Sequence, residues 1–126
     1  MITPFYAAIL GLFFVYLCIR VIKQRRASKT AIGDGDNIKL SRAIRVQANF
    51  SEYVPFVLLL LFLLESRTGS SILIHFFATM LIIGRGVHAY GVSQVKENLK
   101  FRVFGMVLTF AVIIGLSIRL ILTYIF

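Results

Sequence analysis

Apolar residues fall into four blocks separated by polar stretches. A membrane span needs ~20 mostly apolar residues, and the first block, at about 4–22, meets that. Arg20 near its end can carry its charge to the interface along an apolar stem. The block lacks a basic leader and a small-residue cleavage site, so it is expected to be a retained helix. Residues 23–39 are polar and contain Gly33-Asp34-Gly35-Asp36, a loop by its turn residues. The second block is shorter. The uncharged run between Glu52 and Glu65 has only twelve residues, too few to span. Its helix must start near 38–41 and carry polar residues into the membrane, giving an expected helix over about 39–65. Pro55 lies inside it, where a kink is expected. After the turn Arg67-Thr68-Gly69-Ser70, a third helix is expected over 71–92, interrupted by Arg85 and His88. A polar loop at 93–100 and a fourth helix over about 101–124 follow, with Arg119 near its far end. No segment alternates with period two, and there is no internal repeat. The pattern predicts one domain over 1–126: an all-α integral membrane protein, a bundle of four transmembrane helices.

Composition agrees: 59% of the residues are hydrophobic and the mean hydropathy is +0.89. The single Cys18 excludes an internal disulfide. The net charge is +9. Of fourteen Lys and Arg, eight lie between Arg20 and Arg45, and three more are Lys96, Lys100 and Arg102. A basic chain can serve nucleic acid, but these cations sit in loops beside apolar spans, as the positive-inside rule and anionic membrane lipids require. The expectation is therefore no nucleic acid. Basic loops 1–2 and 3–4 are expected in the cytoplasm and both termini on the opposite side. Asp34 and Asp36 supply too few ligands for a calcium loop, no His/Cys/carboxylate spacing suits zinc, and no metal is expected.

The polar residues of the second helix are patterned. Arg42, Arg45, Asn49 and Glu52 are spaced 3, 4 and 3. At about 100° per residue they fall within an arc of roughly 80°. Gln47 and Tyr53 are expected off that stripe. Charges in a bilayer are costly, so a helix keeping several has something polar to hold. The competing possibility is a stripe that merely bonds neighbouring helices or fixes oligomer register. Arg85 and His88, spaced by three, sit toward the basic-loop end of the third helix. Arg102 opens the fourth helix at that end, and Arg25 and Arg26 close the first. A lone His88 is more often an interhelical hydrogen-bond partner than a ligand, and Arg25 alone more often an interfacial anchor. Together, arginines that pair with carboxylates and a glutamate that pairs with an ammonium fit a small zwitterionic peptide such as glutathione.

The run Arg45-Val46-Gln47-Ala48-Asn49-Phe50-Ser51-Glu52-Tyr53-Val54-Pro55 closely resembles the second-helix motif of the MAPEG family, the membrane-associated proteins of eicosanoid and glutathione metabolism. Its leukotriene-C-forming branch shares Arg45, Gln47, Asn49, Ser51, Glu52, Tyr53 and Pro55. The 21–27 stretch is similar to the end of that branch's first helix. Gly84-Arg85 followed by His88 resembles the third helix of the prostaglandin-E-forming branch, and the Gly33-Asp34-Gly35 loop resembles small bacterial inner-membrane members. The resemblance implies a left-handed four-helix bundle assembled as a homotrimer in the bacterial inner membrane, with glutathione as co-substrate between subunits at the cytoplasmic side. It implies that Arg45, Asn49, Glu52 and Tyr53 contact glutathione, with Gln47 close by. It adds Arg25 from the adjoining subunit and Arg85 and His88 from the third helix. Arg102 is the implied catalytic group, stabilising the thiolate. An apolar electrophile or lipid would arrive from the bilayer. Two departures argue against a dedicated eicosanoid synthase. His88 and Val92 stand where the leukotriene branch has aromatic hydroxyls, with Tyr90 out of register, and Met106 replaces a hydroxyl of the prostaglandin branch. The expected function is a glutathione transferase or peroxidase of broad specificity. The alternative is a non-catalytic lipid- or glutathione-binding scaffold of the same family. A transporter is a poorer fit, because no Gly/Pro-broken helix pair is present.

Overall fold

A computed structural model describes all 126 residues. Four helices follow one another: α1 Thr3–Ser28, α2 Ile38–Thr68, α3 Ser71–Ser93 and α4 Leu99–Ile125. Each is long and apolar enough to cross a membrane. α1 runs six residues past the expected end at 22, because hydropathy marks where lipid stops and not where helix stops. Its last turns hold Lys23, Gln24, Arg25 and Arg26, all good helix formers. It ends at Lys29, whose left-handed backbone (φ 52°) returns its N–H to the last carbonyls. Asn37 starts α2 by accepting the Leu40 N–H at 2.9 Å, and Gly69 stops it at φ 61°. Asn98 starts α4 in the same way, through the Lys100 N–H. α2 continues as one helix through Pro55.

α1 lies mainly against α2, while α3 contacts both α2 and α4. The core is a column of apolar side chains including Leu10, Leu17, Val46, Phe50, Val57, Leu61, Leu81, Val112 and Leu116. Outward faces are apolar too, as lipid requires: Phe56, Phe62, Phe76, Phe104 and Ile118 are exposed. Lipid tails are as apolar as leucine, so apolar burial gives little drive between helices; close packing and interhelical hydrogen bonds do that work.

The tightest packing joins α3 and α4. A Cβ on Gly105 would stand 2.6 Å from both the Gly84 carbonyl oxygen and the His88 Cβ, and one on Gly91 would stand 2.7 Å from the Phe101 Cβ. Gly105→Ala is expected to force α3 and α4 apart at a cost of about 1–3 kcal/mol, read as a lower thermal midpoint in detergent. An unchanged midpoint would mean that the two helices slide without loss.

Polar ties hold the ends of the bundle. At the end away from the basic loops, the buried Glu65 carboxylate accepts the N–H groups of Ile2 and of Thr3 (2.8 Å for Thr3), capping α1 from another helix. Arg67 donates to the Thr123 carbonyl. At the basic-loop end, Arg20 donates to Ser93 Oγ at 2.8 Å, tying α1 to α3.

Candidate anion cleft

The α2 stripe divides along its length. Measured round the helix from Arg42, Asn49 lies about 20° away, Arg45 about 60° and Glu52 about 80°. Arg42 and Asn49 therefore face α3 and α4, whereas Arg45 and Glu52 stand exposed at the edge of the single chain. Arg42 donates to the Val92 carbonyl at 3.0 Å and to Glu97 at 2.9 Å. Asn49 Oδ1 accepts from Arg85 Nη1 at 2.5 Å.

Tyr53, expected off the stripe, belongs to its inner side. Eleven residues bring it back within roughly 20° of Arg42, and its ring lies 5.9 Å from the Arg85 guanidinium carbon and edge-on to Phe110. Gln47 lies on the other side of α2, as expected, with Nε2 3.9 Å from Cys18 Sγ on α1.

A cleft of about 240 Å³ opens where the start of α2, the end of α3 and the start of α4 meet, lined by Arg45, Asn49, His88, Val92, Arg102 and Met106. It lies at the end of the bundle that carries both basic loops. The structure thus brings together four of the expected residues: Arg45, Asn49, His88 and Arg102. Asn49 is about 17 Å along α2 from Ile38, so the floor of the cleft lies well inside the helical layer.

Arg85 does not line the cleft. It is only 2% exposed and stands behind the wall, donating to Asn49 and, through Nη2, to Met106 Sδ at 3.4 Å. Met106, noted in the sequence only for a missing hydroxyl, is what fills this place. Within one chain Arg25 is also remote from the cleft. Its Nη1 donates to the carbonyls of Gly33 (2.7 Å) and Thr30 (3.3 Å), holding the α1–α2 loop. Glu52 and Gln47 likewise lie outside the cleft of the single chain. Tyr90 is exposed, with its ring against Phe101.

Sequence reasoning missed Glu97. This carboxylate, in the connection between α3 and α4, takes Arg42 Nη1 and Arg102 Nη2 on Oε2, each at 2.9 Å. Its Oε1 lies 2.7 Å from Arg102 Nε. The signal was that Glu97 is the only acid in the basic loop between α3 and α4. No spacing rule links it to Arg42, because the two meet only when α2 and α4 are packed. Arg42, Arg45, Arg85 and Arg102 surround the site against this one carboxylate. Donors outnumber acceptors, so the arrangement suits an anion held by charge-assisted hydrogen bonds.

Comparison with known proteins gives a matching assignment. The model of the MAPEG family matches residues 3–122, which takes in the whole cleft and nearly all of the four helices. Inner membrane protein YecN of Escherichia coli K12 is 30% identical over 91 residues, covering 72% of this chain and 70% of YecN. YecN of Escherichia coli O6:H1 gives the same values. The chain, an integral membrane protein with four spanning helices, belongs to the MAPEG family.

Proposed function

We propose that the protein binds glutathione and activates its thiolate for attack on an apolar electrophile, as a transferase or peroxidase of broad specificity. The observation that carries this is the cleft itself: Arg45, Asn49, His88 and Arg102 converge on a space of about 240 Å³. Arg45 and Asn49 offer donors to the carboxylates of the peptide. Arg102 is the thiolate-stabilising group, with Arg85 fixing Asn49 from behind. A free thiol ionises near pH ~8.5, so little thiolate is present at neutral pH. A guanidinium beside the sulfur favours the anion. The thiolate then attacks an electrophilic carbon and displaces its leaving group to give a thioether, or, with a second glutathione, reduces a peroxide to alcohol and water and leaves as the disulfide.

A homotrimer completes the site. Glu52 stands exposed about 21 Å along α2, and a carboxylate facing lipid at that depth is costly. A neighbouring copy over the Arg45–Glu52 edge removes that cost and brings its Arg25 toward the cleft. Glu52 then meets the ammonium of glutathione, and Tyr53 lies beneath. The apolar co-substrate enters from the bilayer. By likeness to YecN the membrane is the bacterial inner membrane, and the positive-inside rule puts both basic loops in the cytoplasm and both termini on the other side.

Turnover is tested on protein reconstituted in liposomes, with glutathione and either chlorodinitrobenzene or cumene hydroperoxide. Thioether or glutathione disulfide above the protein-free rate is expected. Binding without either product would make the protein a non-catalytic scaffold. Glu52→Ala is expected to weaken glutathione binding at least about tenfold, the loss of one charge-assisted hydrogen bond, measured by calorimetry. Unchanged affinity would remove Glu52 from the site.

A further inference from the structure

We propose that Glu97 is a positioning residue that sets the orientation of Arg102 in the cleft; the proposal rests on the glutathione function given above. A loop glutamate ordinarily lies in water. Glu97 instead turns inward, its side chain only 7% exposed, and engages two arginines. Arg102 Nη2 donates to Glu97 Oε2 at 2.9 Å, and Nε lies 2.7 Å from Oε1 as an ion-pair contact that is not aligned as a hydrogen bond. Contact along one edge fixes the plane of a guanidinium as well as its position. Arginine has five N–H donors. With Nη2 held by Glu97, both Nη1 hydrogens remain for an anion, so Glu97 and a thiolate can be held together and neither need displace the other.

The same Oε2 takes Arg42, whose Nη1 also donates to the Val92 carbonyl near the end of α3. One carboxylate therefore links the starts of α2 and α4 to the end of α3, the three elements that form the cleft. Without it, Arg42 and Arg102 are like charges converging on one place, and the long Arg102 side chain has no set direction.

Two effects of removing Glu97 oppose each other. Loss of a negative charge favours a nearby thiolate. Loss of orientation removes the donor aimed at it. The Arg102 side chain is 42% exposed, so water and salt screen the charge effect. A direct hydrogen bond from Arg102 to the sulfur is screened less than the more distant Glu97 charge, so orientation decides the sign.

The test compares wild type, Glu97→Gln and Glu97→Asp in detergent, recording thiolate absorbance against pH with saturating glutathione. The rate at which phenylglyoxal modifies Arg102 is followed in the same proteins by mass spectrometry. Glu97→Gln is expected to leave glutathione affinity unchanged at pH values below the wild-type midpoint, and to raise the pH midpoint of thiolate formation by about one unit, roughly tenfold less thiolate below the midpoint. Arg102 is expected to react faster. Glu97→Asp, which keeps the charge with a shorter reach, is expected to shift the midpoint less. An unmoved or lowered midpoint in both variants overturns the proposal, and so does a lower thermal midpoint with no pH shift, which marks loop packing alone. If wild type gives no thiolate signal, the glutathione function fails and Arg102 reactivity decides. A faster reaction in Glu97→Gln then supports the positioning role, and equal rates overturn it.

Discussion

Arg102→Ala is expected to leave glutathione bound and to reduce its thiolate at neutral pH by up to about 30-fold, back to the small fraction that an unassisted thiol of pKa ~8.5 gives. Arg102 lines the cleft, but its neighbours Arg45 and Asn49 supply the donors for the peptide's carboxylates. The variant should therefore separate binding from activation. Calorimetry reports the first, and ultraviolet thiolate absorbance the second. Turnover with chlorodinitrobenzene should fall in parallel with the thiolate. The fold should survive, because the Arg102 side chain is 42% exposed and its loss opens little space in the core. Equal loss of binding and thiolate would make Arg102 a plain anchor for the ligand.

The second large effect concerns Arg85, and its two parts have opposite signs. Arg85 is 2% exposed and takes part in neither ion pair of the chain, both of which use Glu97. An arginine at the centre of a membrane helix costs about 2.5–3.5 kcal/mol. Its hydrogen bond to a neutral Asn49 returns ~1 kcal/mol, and its stacking on Tyr53 returns a little more when desolvated. A methionine of similar length avoids the cost and fills most of the space. Arg85→Met is therefore expected to stabilise the protein by about 1–2 kcal/mol, read as a higher thermal midpoint. It is also expected to weaken glutathione binding about tenfold, because Asn49 loses the partner that fixes its amide. A protein pays that stability only for function. A destabilised Arg85→Met with normal binding would instead make Arg85 a structural strut.

The four-helix plan was readable because a span needs a fixed length of apolar sequence, and the polar stripe because helical spacing is regular. Arg45, Asn49, His88 and Arg102 carried the site in the sequence, and they line one cleft. What hydropathy could not read was helix continuing into water, so α1 ends at Ser28 and not near 22. Angular position alone did not tell which part of the stripe faces inward. Tyr53 and Arg42 face the bundle and Glu52 its edge, a distinction set by where α3 and α4 pack. Arg85 was readable as a buried charge, but not as one behind the wall. That depends on Asn49 and Met106, its partners on two other helices. The pairing of Glu97 was not readable for a related reason, since its partners lie on two helices joined only by the folded bundle.

The central claim is that this cleft holds and ionises glutathione. It is tested most directly by titrating the detergent-purified protein with glutathione at neutral pH and following thiolate absorbance, with Arg102→Ala alongside. A saturable signal in wild type that Arg102→Ala lacks is the predicted result. No signal and no binding at millimolar glutathione would contradict it.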